Sequence, residues 1–280
     1  MDAKHAESEV QHGVDMFKKY KNLLGELTRK TIKLKYRNSW LGIFWSFLQP
    51  LLNMIGLSVV FSGIFGRDNR KVVCYPVYLF AGRLLYEFFV VSTKQAMTSF
   101  RRNAAIIKKV YVPKYMYPFS SILSSFVTTA ISMLCYIMVW IFFKATGIAG
   151  GANLTISWHL ILFLVPLAII LVFSTGVGMV LSVLCVYFRD IEYIWDVLTK
   201  LLFYTVPIIY HISAITSPNL KLIIRANPLY HLIEMFRQCV LYGELLNPKM
   251  LIYSIAWAVV AFIIGAIIFD WKSDDLIYHL

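Results

Sequence analysis

Charge is scarce in this chain. Of 280 residues only 15% are Asp, Glu, Lys or Arg, against roughly 25% in a usual soluble domain. Acids are scarcer still, 15 against 27 Lys and Arg, for a net charge of +12. No GxxxxGK[ST] occurs, and no glycine is followed by lysine, which excludes a P-loop phosphate cradle. HExxH, GxSxG and any close His/Cys/Asp cluster are also missing, so no metal site or catalytic centre is expected. His159, His211 and His231 are scattered and read as interfacial residues rather than ligands. The four cysteines show no CxxC spacing. Cys135 and Cys185 lie in apolar runs and read as packing residues; Cys74 and Cys239 could fall on one side of a membrane and pair. There is no short leader-like apolar segment: the first apolar run starts near residue 39 and is too long for one. It reads as an uncleaved first span.

What is abundant is apolar sequence, at 59% of residues. Ser39–Gly66, Tyr115–Phe143, Ala145–Phe188, Leu201–Leu220 and Met250–Phe269 contain no Asp, Glu, Lys or Arg. A bilayer-spanning helix needs about 20 such residues, whereas buried helices of soluble proteins rarely run past about 14. The expected fold is therefore an all-α polytopic membrane protein. Six spans are expected, near 39–65, 76–99, 115–143, 158–187, 193–212 and 250–269. The second holds Arg83, Glu87 and Lys94, and the fifth starts with Asp196 and Lys200 in its first turns. An even number of spans puts both termini on one side. Nine Lys and Arg precede Ser39 and five lie in 101–114; by the positive-inside rule those segments, and both termini, are cytoplasmic.

Three stretches between or before spans carry more pattern than a connector needs. In residues 16–37, Phe17, Tyr20, Leu24, Leu27 and Leu34 form one helical stripe, with Lys18, Lys21, Lys30, Lys33 and Arg37 mostly off it. This predicts an amphipathic helix in the membrane interface. Residues 100–118, FRRNAAIIKKVYVPKYMYP, hold five cations, no acid and an apolar centre, ended by Pro113 and Pro118. Residues 213–248 predict two short helices. Ser217-Pro218 and Asn227-Pro228 are N-cap–proline starts, and Gly243 is a stop. The second helix would present Leu229, Leu232, Ile233, Phe236 and Val240 on its apolar face, with Glu234 and Arg237 on the other. Neither is long enough to span.

Charged residues inside a span are functional candidates by default. Arg83 and Glu87, four apart, fit that description; they also fit a plain helix-face pair near the outer interface. Aromatics make up 16% of the chain. Much of this suits interfacial belts, but an aromatic-lined path would also suit sugar rings.

These stretches resemble a known family. LKYRNSWLGIFWSFLQPLL at 34–52, NAAIIKKVYVPKYMYP at 103–118, YFRDIEYIWDVL at 187–198 and NPLYHLIEMFRQ at 227–238 resemble, in order, four parts of one family. It comprises the permease subunits of type-two ABC exporters that move lipid-linked polysaccharides, including O-antigen, capsule and wall teichoic acid. One stretch departs from that pattern: GRLLYEFF at 82–89 stands where an uncharged stretch is expected.

The resemblance implies a cytoplasmic tail and interfacial helix over 1–38, a transmembrane domain over 39–270 and a cytoplasmic tail over 271–280. It implies a coupling helix near 101–112 that docks on a separate ATPase. Asn103, Ile106, Ile107, Lys108, Lys109 and Tyr111 lie there, with Arg189 and Asp190 at a second contact near 187–196. It implies extracytoplasmic gate helices near 217–243, including Asn227, Pro228, Glu234, Phe236 and Arg237. ATP and Mg would then belong to two ATPase subunits, with no cofactor on this chain. Two copies of the chain would enclose a channel in a bacterial inner membrane. A lipid pyrophosphate would be taken up at Lys33, Lys35 and Arg37 and its sugars passed along Trp40, Phe44, Trp45 and Tyr204. Membrane lipids would be partners; nucleic acid would not, since the cations sit beside spans. An exporter of drugs or lipids shares this fold. A proton-coupled transporter would need midplane acids, of which only Glu87 qualifies, and a membrane-embedded transferase would need a catalytic acid or histidine.

Overall fold

The computed structural model describes residues 20–37, 39–65, 72–109 and 112–272, and its regular elements there are helices. Helix α1 covers 20–36. The 3-10 turn Gly42–Phe44 leads into α2, Trp45–Phe65. Next come α3, Tyr75–Met97; α4, Ser99–Ile107; and α5, Met116–Thr146. The chain continues through α6, Leu164–Tyr187; α7, Ile191–Thr205; α8, Pro218–Ala226; α9, Pro228–Arg237; and α10, Pro248–Lys272.

Among the described residues four segments are long and apolar enough to cross a membrane: Gly42–Phe61, Met116–Thr146, Trp158–Tyr187 and Pro248–Lys272. The two other expected spans behave differently. Helix α3 has the length, at 23 residues, but its charges lower its hydropathy, and 17 of its residues are buried. It is surrounded by α2, α5, α6, α7 and α9 rather than by lipid. Helix α7 falls short of the expected 193–212 and stops at Thr205 after 15 residues. Pro207 is the cause: it has no N–H for the ladder and pushes Val206 into extended backbone, at φ −86° and ψ 128°.

Helix α10 buries only Ser254, Ala258, Gly265 and Phe269, a narrow stripe that packs along α6. A Cβ on Gly176 would lie 2.3 Å from the Ala261 carbonyl carbon, and one on Gly265 2.5 Å from the Gly176 oxygen. Glycine at both positions lets the two backbones touch, as membrane helices commonly require.

Local signals at the chain's turns are expressed as expected. Asn227 caps α9 by accepting a bond from the Leu229 N–H at 3.0 Å. Ser217 precedes α8 without a side-chain cap bond. Gly243 closes the π-helical turn Gln238–Tyr242 at φ +64°, in the left-handed region that favours glycine.

Three expectations need correction. The four cysteines are free and buried; Cys74 and Cys239 share the main core without pairing. Helix α9 does not show a polar face to the outside. Leu229, Leu232, Ile233, Phe236 and Val240 are buried as expected, but so are Tyr230, Met235 and Arg237. Arg237 is 0% exposed, because α9 is wedged between α3, α6 and α10. Only α8 stays outside, with Leu222 and Ile223 exposed. Finally, α1 does not give its whole stripe to lipid. Leu24 and Leu27 are buried against Phe100, Met116, Tyr117 and Phe269, while Leu34 remains exposed. Phe17 lies outside the described residues.

Candidate functional site

The basic segment after α3 forms the short helix α4, which carries Asn103, Ile106 and Ile107, and a turn that carries Lys108 and Lys109. Lys108 and Lys109 are exposed, and Ile106 is half-buried. Ile107 packs against the chain's own cluster of Phe100, Met116 and Tyr117, so it is partly used inside the fold. Asn103 also has internal partners: Lys30 Nζ donates to its Oδ1 at 3.1 Å, and its Nδ2 donates to the Ser99 carbonyl at 2.9 Å. Tyr111 lies outside the described residues.

Arg189 and Asp190 are exposed at the turn between α6 and α7. One turn further, Glu192 accepts a hydrogen bond from Arg101. That bond, helped by the carboxylate's charge, raises the Arg101 guanidinium pKa above its ordinary value. The structure thus brings α4 and the α6–α7 turn side by side, two segments far apart in sequence. A second bridge, Lys94 Nζ to Asp196 Oδ1 at 2.7 Å, fixes α7 against the end of α3. Neither bridge was legible in the sequence, since nothing local pairs these residues.

At the junction of α1 and α2, Lys33, Lys35 and Arg37 are all exposed. Lys35 sits 5.3 Å above the Tyr36 ring. The Tyr36 hydroxyl bonds to Ser46, and Ser132 donates to the Ser46 carbonyl at 2.8 Å. The junction is therefore held by polar contacts from α5 while its cations remain exposed.

Of the expected aromatics, Trp40 is 99% exposed, Tyr204 70%, Phe44 50% and Trp45 39%. They do not form one lining within a single chain. Helix α2 packs on α3 and α5, whereas α7 packs on α3 and α6. Helix α7 also exposes Tyr193, Ile194, Val197 and Leu201.

The Arg83–Glu87 pair is formed, with Nε and Oε2 3.5 Å apart and both side chains half-buried. Its place is not the outer end of a span. The pair is central in α3 and lines a cavity with Tyr36, Ser46, Gln49 and Ser132. Residues from the start of α2 and the middle of α5 therefore face it.

The most tightly built site is around Arg237. The guanidinium carbon lies 3.5 Å over the Tyr78 ring. Nε donates to the Tyr78 carbonyl at 3.3 Å, and Nη1 to the Tyr78 hydroxyl and the Pro207 carbonyl, both at 2.8 Å. Nη2 donates to the Ile208 carbonyl at 3.0 Å. Glu234 stands 3.7 Å away. A Cβ on Gly82 would sit 2.4 Å from Nη2, so the absence of a side chain on α3 makes the room.

Two tyrosines continue the pattern. Tyr75 donates to the Ile209 carbonyl at 2.9 Å and Tyr78 to the Tyr210 carbonyl at 3.2 Å. Four successive carbonyls, 207–210, thereby gain donors where Pro207 broke the helix. Unwound backbone within a membrane protein needs such partners. Phe236 and Asn227 help to fix α9, which carries Arg237. Phe236 packs on Tyr136 and Phe163, and Asn227-Pro228 sets where α9 begins.

With this architecture in place, comparison with known proteins is decisive at the level of family. The profile described as ABC-2 type transporter matches residues 22–241. The chain belongs to the ABC-2 type transporter family. The match runs from α1 to the turn after α9 and so includes the basic helix α4, the broken helix α7 and the Arg237 site. Among similar proteins is the O-antigen export system permease protein RfbA of Klebsiella pneumoniae, 29% identical over 252 residues, or 89% of this chain and 91% of that protein. The protein of the same name from Myxococcus xanthus is 25% identical over 257 residues, 91% of this chain and 94% of its own length. The polysialic acid transport protein KpsM of Escherichia coli is 20% identical, with 89% and 92% covered.

Proposed function

We propose that this chain is the membrane-spanning permease subunit of an ATP-driven exporter of an undecaprenyl-pyrophosphate-linked polysaccharide, an O-antigen, capsule or teichoic-acid type of polymer. The observation that carries the reading is end-to-end similarity to relatives named for polysaccharide export, over about nine-tenths of both chains. In this reading α2, α3, α5, α6, α7 and α10 are the six spans of a bacterial inner-membrane protein with both termini cytoplasmic. The strap after Pro207 lets α7 count as a span despite its length. Helices α8 and α9 form the extracytoplasmic gate pair.

Two copies assemble so that the uncovered aromatics of α2 and α7 from different chains face one path. Trp40, Phe44, Trp45 and Tyr204 then offer ring faces and polar edges to sugars. The lipid pyrophosphate is collected at Lys33, Lys35 and Arg37, whose charges reach the interface; the planar fork of Arg37 suits phosphate oxygens best. A separate ATPase subunit, one per permease copy, supplies ATP and Mg chemistry. It docks on Ile106, Lys108 and Lys109 together with Arg189 and Asp190, a rim of charge around a small apolar centre. Export of a drug or an ordinary lipid is the runner-up within the same family.

Deleting the gene from its host and restoring it tests the reading. The expected result is loss of the surface polymer with lipid-linked polymer accumulating inside, both reversed by the restored gene. Unchanged surface polymer would refute it.

A further inference from the structure

A cavity of about 390 Å³ lies between α1, the end of α3, α4 and α5. Lys30, Lys35 and Arg102 line it, with Gln95, Asn103 and Ser121. No acid is among its lining residues. The nearby acid is already engaged: Glu192 binds Arg101, the neighbour of Arg102. Arg102 itself makes no ion pair or side-chain hydrogen bond among the described residues. Arg102 is exposed at the cavity mouth; partial desolvation, opposed by Glu192 and reinforced by the Arg101 charge, lowers its guanidinium pKa from the ordinary value. Three cations converging on one polar, acid-free cavity repel one another and have donors to spare. A bound anion would relieve both conditions.

We infer that this cavity is a binding site for the phosphate group of a membrane lipid, held by Lys30 and Lys35 from α1 and by Arg102 from α4. The inference rests on the reading of α1 as lying at the membrane surface, where lipid phosphates are within reach. Lys35 is shared with the Lys33 and Arg37 cluster at the junction of α1 and α2, and Lys30 and Arg102 extend that cluster inward to α4. A phosphate here touches α4, the helix proposed to meet the ATPase. Lys30 already joins α1 to α4 by its bond to Asn103; a phosphate bridging Lys35 and Arg102 adds a further link. Occupancy would therefore stiffen the link between the lipid-facing helix and the coupling helix. Two sources share this chemistry: the pyrophosphate of a polyprenyl lipid and the phosphodiester of an anionic phospholipid.

The test uses the full chain in phosphatidylcholine nanodiscs, with binding read by native mass spectrometry. Farnesyl pyrophosphate and phosphatidylglycerol are titrated separately. Saturable binding is expected, about tenfold weaker in Arg102→Gln and in Lys35→Gln, the loss of one charge-assisted hydrogen bond each. Lys21→Gln, which removes the same charge from an exposed position of α1 outside the cavity, is expected to bind as wild type. Binding of farnesyl pyrophosphate alone assigns the site to the substrate's head group; binding of phosphatidylglycerol as well assigns it to bilayer lipid. If neither probe binds, or if Lys21→Gln weakens binding as much as Arg102→Gln, the site does not exist. Polymer export measured on the same variants separates this claim from the proposed function. An Arg102→Gln chain that loses binding but still exports leaves the site standing and takes it off the substrate's route.

Discussion

Arg237 and Arg102 carry the same group into opposite surroundings. Arg237 is 0% exposed, and its guanidinium meets three carbonyls and a hydroxyl. Arg102 stands at a cavity wall beside two lysines, with no hydrogen-bonding partner for its side chain among the described residues. The contrast shows what decides a cation's role in this fold. A charge buried among neutral acceptors from a broken helix acts as a fastener: it supplies donors to the Pro207 and Ile208 carbonyls, which have no helical partners once the helix ends. A charge that finds no acceptor among the described residues keeps its donors for something else. One end of the molecule is closed by its arginine, and the other is left open by its own.

The comparison breaks most visibly at Arg237. Arg237→Leu leaves the Pro207 and Ile208 carbonyls without these donors, at about 1–3 kcal/mol each. A clear drop in thermal stability of the purified chain in detergent is expected, together with poor yield. Arg237→Lys is expected to recover little, because one ammonium cannot reach both Tyr78 and the strap oxygens. Gly82→Ala puts a methyl 2.4 Å from Nη2 and should lose less, about 1–3 kcal/mol, by crowding the same guanidinium. Wild-type stability for Arg237→Leu would mean the strap does not need its fastener.

The smallest effect is expected at the other arginine. Arg102→Gln should leave stability within about 0.5 kcal/mol of wild type, since it removes no internal bond. The same thermal measurement in lipid-free detergent checks it. A loss as large as that of Gly82→Ala would show that Arg102 is also a structural tie and would erase the contrast.

The sequence disclosed what local chemistry controls and missed what distant segments bring together. The proline-capped starts of α8 and α9 and the stop at Gly243 were readable because each depends on a few adjacent residues. The long apolar runs were readable for the same reason. Helix α7 was overextended because hydropathy runs smoothly through Val206-Pro207, although Pro207 itself marked the break. Arg237 was misplaced because helical spacing describes one helix alone. It cannot say that Gly82 of α3 clears room for the guanidinium or that an unwound strap needs its donors. The cavity around Arg102 was invisible for a like reason: Lys30, Gln95, Arg102 and Ser121 meet only after four helices pack. Among the expected coupling residues, spacing could not reveal that Ile107 leans on Phe100 and Met116, leaving Ile106 and the two lysines as the outward surface.

The most direct test of the account is transport by the purified assembly. The chain, co-purified with its ATPase partner, is placed in proteoliposomes carrying a labelled polyprenyl-pyrophosphate-linked glycan in the outer leaflet. ATP is supplied outside, and glycan sealed from an external glycosidase is measured. The account predicts that ATP drives the glycan into the protected lumen and that a non-hydrolysable analogue does not. ATP hydrolysis with no protected glycan, while a drug or an ordinary phospholipid moves instead, would contradict it.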